Sequence, residues 1–342
     1  MTFATKADAN AWLAAQQTDT GRGTWVDPSL GKELFGDYAR NWLETRSDLA
    51  ETTRAKYQGL LGLHILPAFG RCRIAQVDPA AVRGWYHVLA AKYNSTGDDA
   101  YRLLRAIMNT AVADKRVGRS PCTVKGAGAT ESAKRPIATI AELQGAVDAL
   151  LPRYRAGFAL AAWCQLRRGE VLGLQRQHVD MEALTIRVEQ EWVVPPGKRP
   201  ILKAPKTAAG YRVIDIPPNI AEVIQGHLDT FVGPGPTAWL LATANGTPIQ
   251  PRNFFRCWEK ARKQVGRPEL TIHDLRHSGL TWSAATGAPL AELMRRGGHK
   301  DSRAAIRYQQ ATRDSGKVLA DALAALSRHE LPPGKDVEVV PP

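Results

Sequence analysis

A histidine and a tyrosine stand nine positions apart in the stretch GGHKDSRAAIRYQQ, residues 297–310: His299 and Tyr308. The pKa of a free tyrosine is near 10, so about one phenol in a thousand is ionised at neutral pH. A tyrosine that attacks a substrate therefore needs positive charge and a proton acceptor nearby. Without such partners, Tyr308 would be an ordinary aromatic side chain packed in a core.

A first set of partners lies in the stretch QLRRGEVLGL. Arg167 and Glu170 are three residues apart, so we expect them to share a helix face, with the carboxylate orienting the guanidinium. A planar guanidinium can hold two phosphate oxygens at once. The neighbouring Arg168 makes the register ambiguous, but Leu166 before and Glu170 after favour Arg167. An exposed, salt-bridged helix is the alternative interpretation.

A second candidate is Lys206 in the stretch KAPKTAAGYRVIDI. It is flanked by Pro205 and Thr207, in a tight turn between two predicted strands. We expect a hairpin here, which could carry the lysine over a bound backbone, where it could protonate a leaving alkoxide. Exposed lysines are common in loops, so this motif is weak by itself.

A third candidate is the stretch TIHDLRHSG, in which helical spacing points His273 and Arg276 the same way. The alternative is a plain helix start, with Asp274 satisfying the first turn. A metal site is a further alternative, but the arginine beside it would repel a cation. Its ligands would be His273, Asp274, His277 and His299.

The charge of the chain is regional and basic. The 342 residues include 46 Lys and Arg against 33 Asp and Glu, a formal net charge of +13. An excess of this kind favours a polyanionic partner, above all nucleic acid, although a solvated basic surface is the alternative. Two clusters hold the predicted DNA-contacting residues: Arg105, Lys115, Arg116, Arg119 and Lys125 in the first, and Arg252, Arg256, Lys260 and Lys263 in the second.

The four cysteines are widely spaced and form no CxxC pair. This favours a reducing compartment over a disulfide framework or a zinc site. The sequence shows no membrane-spanning segment and no signal peptide. We therefore expect a cytoplasmic protein.

The apolar spacing predicts a mainly α-helical protein with a small antiparallel β-sheet, an α+β fold. Helices are predicted over 5–16, 34–45, 52–66, 79–91, 98–115, 139–151, 155–164, from 166 to about 177, 218–230, 251–265, 273–286, 290–296, 302–310 and 313–328. The strands are predicted over 184–190, 199–203 and 211–216. Pro67 should end the helix that begins at residue 52.

Taken in order, R-x-x-E, a lysine between strands, H-x-x-R, G-H and a tyrosine resemble the tyrosine recombinase (phage-type integrase) family. The resemblance covers nearly the whole chain. It implies a remnant of an arm-DNA-binding domain over 1–30, a helical core-DNA-binding domain over 31–117, a linker over 118–136, a catalytic domain over 137–328 and a tail over 329–342. It further implies a catalytic set with one supporting residue: Arg167, Lys206, His273, Arg276, His299 and Tyr308, supported by Glu170.

The sequence departs from the family pattern in a few places. Gln165 stands where a glycine is common before L-R, and Gly297 stands where a leucine usually precedes G-H. In addition, the sequence starts at the helix of the arm domain, where the family has three strands before that helix. None of these departures removes a catalytic side chain.

The implied reaction is attack of Tyr308 on a DNA phosphorus, giving a 3′-phosphotyrosine that a second strand resolves. His299 and the two arginines would neutralise the developing charge. No nucleotide-binding loop or carboxylate cluster is present, so we expect neither ATP nor a metal cofactor. The implied partners are double-stranded attachment sites, further protomers in a tetramer on DNA, and an accessory bending or directionality factor. A type IB topoisomerase and a catalytically silent DNA-binding regulator are the alternatives.

Overall fold

The computed structural model describes residues 2, 5–8, 10–11, 13–14, 30–129, 135–194, 200–310 and 324. The chain divides into two compact units, Met1–Ala133 and Lys134–Pro342. The predicted helix over 313–328 and the C-terminal tail lie almost entirely outside the described residues. Of the predicted helix over 5–16, residues 5–8, 10–11 and 13–14 are described, and all of these except residue 5 are helical.

The first unit is a bundle of helices around one apolar core. Its longest helix, α5, buries Leu104, Ile107, Met108 and Ala111, which recur at helical spacing on one face. At the start of α4 the Asp78 carboxylate accepts from two backbone N–H groups, as predicted for an N-cap. The helices are α1 (Phe35–Glu44), α2 (Glu51–Leu60), α3 (Leu66–Phe69), α4 (Pro79–Lys92) and α5 (Asn94–Ala113).

The prediction that Pro67 ends the second helix is wrong. A π-helical turn, Leu61–Ile65, joins α2 to α3, and the helical path continues to Phe69. In this turn the Leu66 N–H donates to the Leu61 carbonyl, one residue further back than in an α-helix. Pro67 therefore falls in the first turn of a new segment, where its missing N–H leaves no helical hydrogen bond broken.

Residues 118–129, the first part of the predicted linker, contain turns and bends and pack against the helices of the first unit, to which they belong. The Val124 N–H donates to the Tyr101 hydroxyl at 2.9 Å, and the Gly128 N–H donates to the Asp98 carboxylate at 3.0 Å. Ala127 is buried in the same core. This anchoring ties the basic stretch to the helical bundle as far as residue 129.

The second unit combines helices with two small sheets. Its core includes Phe158, whose ring stacks against those of Phe254 and Trp258. The helices are α6 (Ile140–Asp148), α7 (Pro152–Trp163), α8 (Arg168–Gly173), α9 (Pro218–Phe231), α10 (Pro251–Gln264), α11 (Ile272–Ala285), α12 (Leu290–Gly297) and α13 (Ser302–Gln310). The strands are β1 (Val179–Asp180), β2 (Thr185–Val188), β3 (Glu191–Val193), β4 (Ile201–Lys203) and β5 (Arg212–Asp215). The predicted α+β class is confirmed.

The strands pair differently from the single sheet that we predicted. β1, β2 and β5 form one antiparallel sheet, and β3 and β4 form another. β2 and β5 pair because both turn an isoleucine, Ile186 and Ile214, toward the core at the same register. Lys206 therefore lies on a connection between two sheets, and the predicted hairpin of paired strands is wrong.

The helix predicted to end near Gln177 is shorter than expected and ends at Gly173. Backbone of the β3 strand lies directly against it. A Cβ atom added at Gly169 would come within 2.9 Å of the Trp192 carbonyl oxygen, so a side chain there would push the strand away. No helix among the described residues combines the length and apolar character needed to cross a bilayer.

Candidate active site

Arg167 stands at the N-cap of α8, and Glu170 is the third residue of that helix. The Glu170 carboxylate accepts from the Arg167 backbone N–H at 2.7 Å and from its Nη1 at 2.8 Å. The predicted pairing of the two side chains is thus present. It arises from capping geometry, because Arg167 precedes the helix and does not share a face with Glu170.

Arg212 on β5 is a functional candidate that our sequence reading missed. Its guanidinium binds Glu170 with two bonds, of 3.0 and 2.8 Å, and its Nε donates to the Arg296 carbonyl at 3.0 Å. Burial by itself would raise the pKa of Glu170. The hydrogen bonds and positive charge of Arg212, with smaller effects from the charges of Arg167 and Arg276, lower this pKa to about 2. Although Glu170 is only 3% exposed, these positive charges keep it a carboxylate that holds two arginines.

Arg276 lies on α11 and is 2% exposed. Its guanidinium donates to the carbonyls of Gln165 and Gly297, and to the His299 ring at 3.2 Å. Burial, followed by the charge of Arg167, lowers the pKa of Arg276 to about 9. The group therefore remains a cation at neutral pH, held on a helix and surrounded by fixed acceptors.

The two arginines meet at one main-chain oxygen. The Gly297 carbonyl accepts from Arg276 and, at 3.1 Å, from Nη2 of Arg167. The same Arg167 nitrogen donates to the Gly298 carbonyl at 2.8 Å. Two guanidiniums from distant parts of the sequence thus converge on a single point beside α12, which is the arrangement that can bind one phosphate group.

His299 follows this point directly and is partly buried. Its Nε2 accepts the Arg276 hydrogen bond, so we infer that the ring proton sits on Nδ1, which is buried without a partner among the described residues. Burial and then Arg276 and Arg167 lower the pKa of His299 to about 4. A Cβ atom at Gly297 would lie 2.7 Å from the ring, so a side chain there would force the His299 ring to move.

His273 lies at the start of α11, on the open side of the site. Desolvation, then the charges of Arg135 and Arg276, lower the pKa of His273 to about 4. Asp274 beside it caps the helix by accepting from Thr271 and also pairs with Arg135 at 3.2 Å. Within the described residues, no group of three or more His, Cys, Asp or Glu side chains is arranged to hold a metal ion.

Tyr308 lies on α13 and is 8% exposed. Its ring packs between two histidines, with its centroid 5.1 Å from that of His277 and 6.0 Å from that of His299. The planes of Tyr308 and His299 differ by 7°. The phenol is therefore brought next to the ring that contacts Arg276.

Lys206 is exposed on the connection between β4 and β5. It lines a cavity of 180 Å³ together with Arg167, Glu170 and Glu191. A larger groove of 490 Å³ shares Arg167 and Glu191 with this cavity, and its lining also includes His273, Arg276, Trp192 and Phe255. All six predicted catalytic residues thus belong to one region of the second unit, with Lys206 at its rim.

The predicted DNA-contacting residues are mostly at the surface. Those of α10 (Arg252, Arg256, Lys260 and Lys263) are all exposed, whereas Phe254, Trp258 and Ala261 on its other face are buried. In the first unit Arg105, Lys115, Arg119 and Lys125 are exposed, and Arg116 is half-buried beside Glu33 at 3.5 Å. Each unit therefore carries accessible positive charge.

Comparison with known proteins covers both units. A model described as phage integrase family matches residues 137–314, and one described as phage integrase, N-terminal SAM-like domain matches residues 34–90. The chain is 39% identical over 338 residues to a protein of Mycobacterium tuberculosis H37Rv described as a prophage phiRv2 integrase, covering 96% of this chain and 89% of the relative. It is 32% identical over 337 residues to the integrase of Mycobacterium phage L5, covering 96% and 90%.

The fold is also that of solved integrase structures. The Tn1549 transposon integrase in complex with transposon right end DNA has a TM-score of 0.72 at 20% identity, covering 86% of this chain and 100% of that one. A lambda integrase tetramer bound to a Holliday junction has a TM-score of 0.62 at 14% identity, covering 84% and 80%. From the extent of the sequence identity and the family match, the chain belongs to the phage integrase family and is a site-specific tyrosine recombinase.

Proposed function

We propose that Tyr308 cleaves DNA by attacking a backbone phosphorus held by Arg167 and Arg276. The observation that carries this assignment is the convergence of both guanidiniums on the Gly297 carbonyl, next to the stacked rings of His299 and Tyr308. The phenol gives up its proton to a neutral imidazole of the site, and its oxygen forms a bond to phosphorus as the bond to the 5′-oxygen breaks. The product is a 3′-phosphotyrosine and a free 5′-hydroxyl.

The arginines stabilise the charge that develops on the non-bridging oxygens. Fixed donors of this kind are worth about 3 kcal/mol each, because they need no rearrangement during the reaction. Our sequence-based mechanism also gave His299 a share of that charge. With a pKa lowered to about 4, the DNA-free ring is neutral at pH 7, so we assign His299 the role of a neutral hydrogen-bonding partner that holds the Arg276 guanidinium.

Lys206 is proposed as the proton donor to the departing 5′-oxygen. It lines the same cavity as Arg167, and an ammonium group can neutralise an alkoxide as it forms. A hydroxyl of another strand then attacks the phosphotyrosine, which restores the phenol and joins the new partner. The phosphotyrosine bond retains the energy of the broken phosphodiester bond and uses it for rejoining, so we expect no ATP requirement.

The substrate is proposed to be a pair of double-stranded attachment sites through which a prophage integrates or is excised. Relatives that are described as phage and prophage integrases support this choice. Exposed bases of α10 and of the first unit would supply phosphate contacts. We further propose a homotetramer on DNA, in line with the lambda integrase tetramer, with an accessory factor, in the host cytoplasm at the chromosome.

The test is covalent capture. Protein is incubated with fragments of phage and host DNA, the adduct is isolated under denaturing conditions, and its DNA is sequenced and resynthesised as a nicked duplex. Wild-type protein should accumulate a 3′-linked adduct whose phosphate is on Tyr308. The Tyr308→Phe variant should form none, whereas Tyr211→Phe, which changes an exposed tyrosine on the Lys206 connection, should match wild type.

An adduct that persists in Tyr308→Phe would disprove the nucleophile assignment. An adduct linked to the 5′ end would disprove the direction of attack. A wild-type protein that binds the duplex but never forms an adduct would disprove the proposed mechanism as a whole.

A further inference from the structure

Gln165 adopts a backbone conformation that few residues with side chains adopt. Its φ is +52°, one of three positive values at non-glycine residues in the described part of the chain. Side chains clash with the following carbonyl in this left-handed region, and glycine is usual there. The residue follows α7 and precedes Leu166 and Arg167, so the strained position lies two residues before a catalytic arginine.

The main chain of Gln165 contributes directly to the site. Its carbonyl accepts a hydrogen bond from the Arg276 guanidinium. A glycine in the same conformation could offer the same carbonyl. The main-chain contact therefore explains the left-handed turn, but it leaves the glutamine side chain unexplained.

The glutamine side chain is 2% exposed and bonded at both ends. Its Nε2 donates to the carbonyls of Trp163 at 2.9 Å and Ala162 at 3.3 Å, and lies 3.5 Å from the Ser283 hydroxyl on α11. Its Oε1 accepts from Nε of Arg296 at 2.8 Å. The amide therefore joins the end of α7 to α11 and to α12, none of which a glycine could do.

Arg296 is the residue through which this amide reaches the reaction centre. Its guanidinium also donates to the Trp163 carbonyl at 3.2 Å, and its own carbonyl accepts from the buried Arg212. The next residue is Gly297, whose carbonyl receives both catalytic arginines, and His299 follows two positions later. Holding the Arg296 side chain thus fixes where α12 ends.

We propose that Gln165 is a positioning residue that acts through Arg296 to place the Gly297 carbonyl and the His299 ring. The inference rests on the proposed roles of Arg276 and His299. The strained backbone is retained because the side-chain amide, which glycine lacks, holds the end of α12 against α7. Gln165 touches none of the reacting atoms itself.

The experiment compares Gln165→Ala, which keeps the strain and removes the amide, with Gln165→Gly, which removes both. Each variant is assayed for the rate of adduct formation at saturating DNA, for DNA affinity and for melting temperature. Both should react about 10- to 100-fold more slowly, the usual cost of a displaced catalytic group, with unchanged DNA affinity. Gln165→Gly should melt at a higher temperature than Gln165→Ala, because glycine tolerates the left-handed backbone.

A double-mutant cycle identifies the route. Arg296→Met should slow the reaction to a similar extent, and adding it to Gln165→Gly should cause little further loss. Arg295→Met is the matched control, since this neighbouring arginine on α12 bonds the Val213 carbonyl on β5 and does not contact the site. It should react at the wild-type rate.

A wild-type rate in Gln165→Gly would overturn the proposal while leaving the proposed function intact. Fully additive losses in the double variant would overturn the route through Arg296. A loss that follows DNA affinity or melting temperature would assign Gln165 a purely structural role. If the wild-type protein forms no adduct, the proposed function fails, and this inference fails with it.

Discussion

The two parts of the site that would act on one phosphodiester are built in opposite ways. The guanidinium of Arg276 and the carboxylate of Glu170 are 2% and 3% exposed, and each is bonded to fixed neighbours on other elements. Lys206 instead stands exposed on the connection between β4 and β5. We call the first part, made of Arg167, Glu170, Arg212 and Arg276, the arginine clamp.

The difference follows from what each part must do. Groups that stabilise charge are most effective when they are fixed before the substrate arrives and water is excluded. Buried cations then require a buried partner, because an unpaired ion costs several kcal/mol in the interior. A proton donor has another requirement, since it must reach an oxygen that DNA itself supplies. An exposed connection between two sheets provides that access.

The largest expected effect is on the stability of the clamp. Arg212→Met leaves Glu170 buried with one partner fewer, so the free energy of unfolding of the second unit should fall by about 3–5 kcal/mol. The measurement is urea unfolding. Adding Glu170→Met should recover most of the stability but no activity, because Arg167 also loses its partner. If the single variant is as stable as wild type, the clamp is not held by this ion pair.

The next effect is on the rate of cleavage. Arg276→Lys keeps one positive charge but cannot bond Gln165, Gly297 and His299 at once, so adduct formation should slow about 10²- to 10³-fold. Single-turnover kinetics on the nicked duplex measure this rate. A loss of less than about tenfold would mean that charge alone, without the fixed geometry, is sufficient.

A change at the exposed side should behave differently. Lys206→Ala should slow cleavage about 10²-fold, the usual contribution of a general acid, with no change in melting temperature. A substrate whose 5′-oxygen is replaced by sulfur has a leaving group that needs no proton. Such a substrate should restore the rate of Lys206→Ala but not that of Arg276→Lys. Equal rescue of both variants would remove the distinction between the two parts.

A smaller effect is expected from pH. The pKa of His299 is about 4 in the folded protein and near 6.5 when unfolded. Between these values the unfolded chain binds a proton that the folded ring rejects, so stability is lost as pH falls from 6.5 to 4. The full difference would be worth about 3 kcal/mol, and because the ring is only partly buried we expect a loss on the order of 1–2 kcal/mol from it. Unfolding curves across that range should be flatter in His299→Gln than in wild type.

The smallest effect concerns DNA affinity. Lys260→Ala on α10 should weaken binding similarly for all sequences and lower the slope of log affinity against log salt by about 1. Fluorescence anisotropy at several salt concentrations measures this slope. Arg267→Ala serves as the control, because that arginine is already paired with Glu142 and Glu269. An unchanged slope in Lys260→Ala would remove α10 from the proposed DNA surface.

The order of short motifs was enough to predict the family and the fold class, and the comparisons confirm both. Neither alternative, a type IB topoisomerase or a silent DNA-binding regulator, gains support from the relatives. Sequence spacing also predicted that Arg167 and Glu170 would pair. We expected the two side chains to share a helix face, whereas they pair because Arg167 precedes the helix and Glu170 caps its start. Arg212 was missed because an arginine in a strand gives no local sign that it will be buried against a carboxylate 42 residues away.

The sequence by itself determined the chemistry that is available: a phenol, arginines, histidines and a lysine, on elements set by apolar spacing, caps and turns. These signals are local and depend on neighbours within a few residues. Tertiary structure alone decided that β3 and β4 leave the main sheet and carry Lys206 to the rim. It also decided that Gln165 joins α7 to α11 and α12 and that Gly297 presents its carbonyl to two arginines, because helices far apart in sequence meet there and share hydrogen bonds.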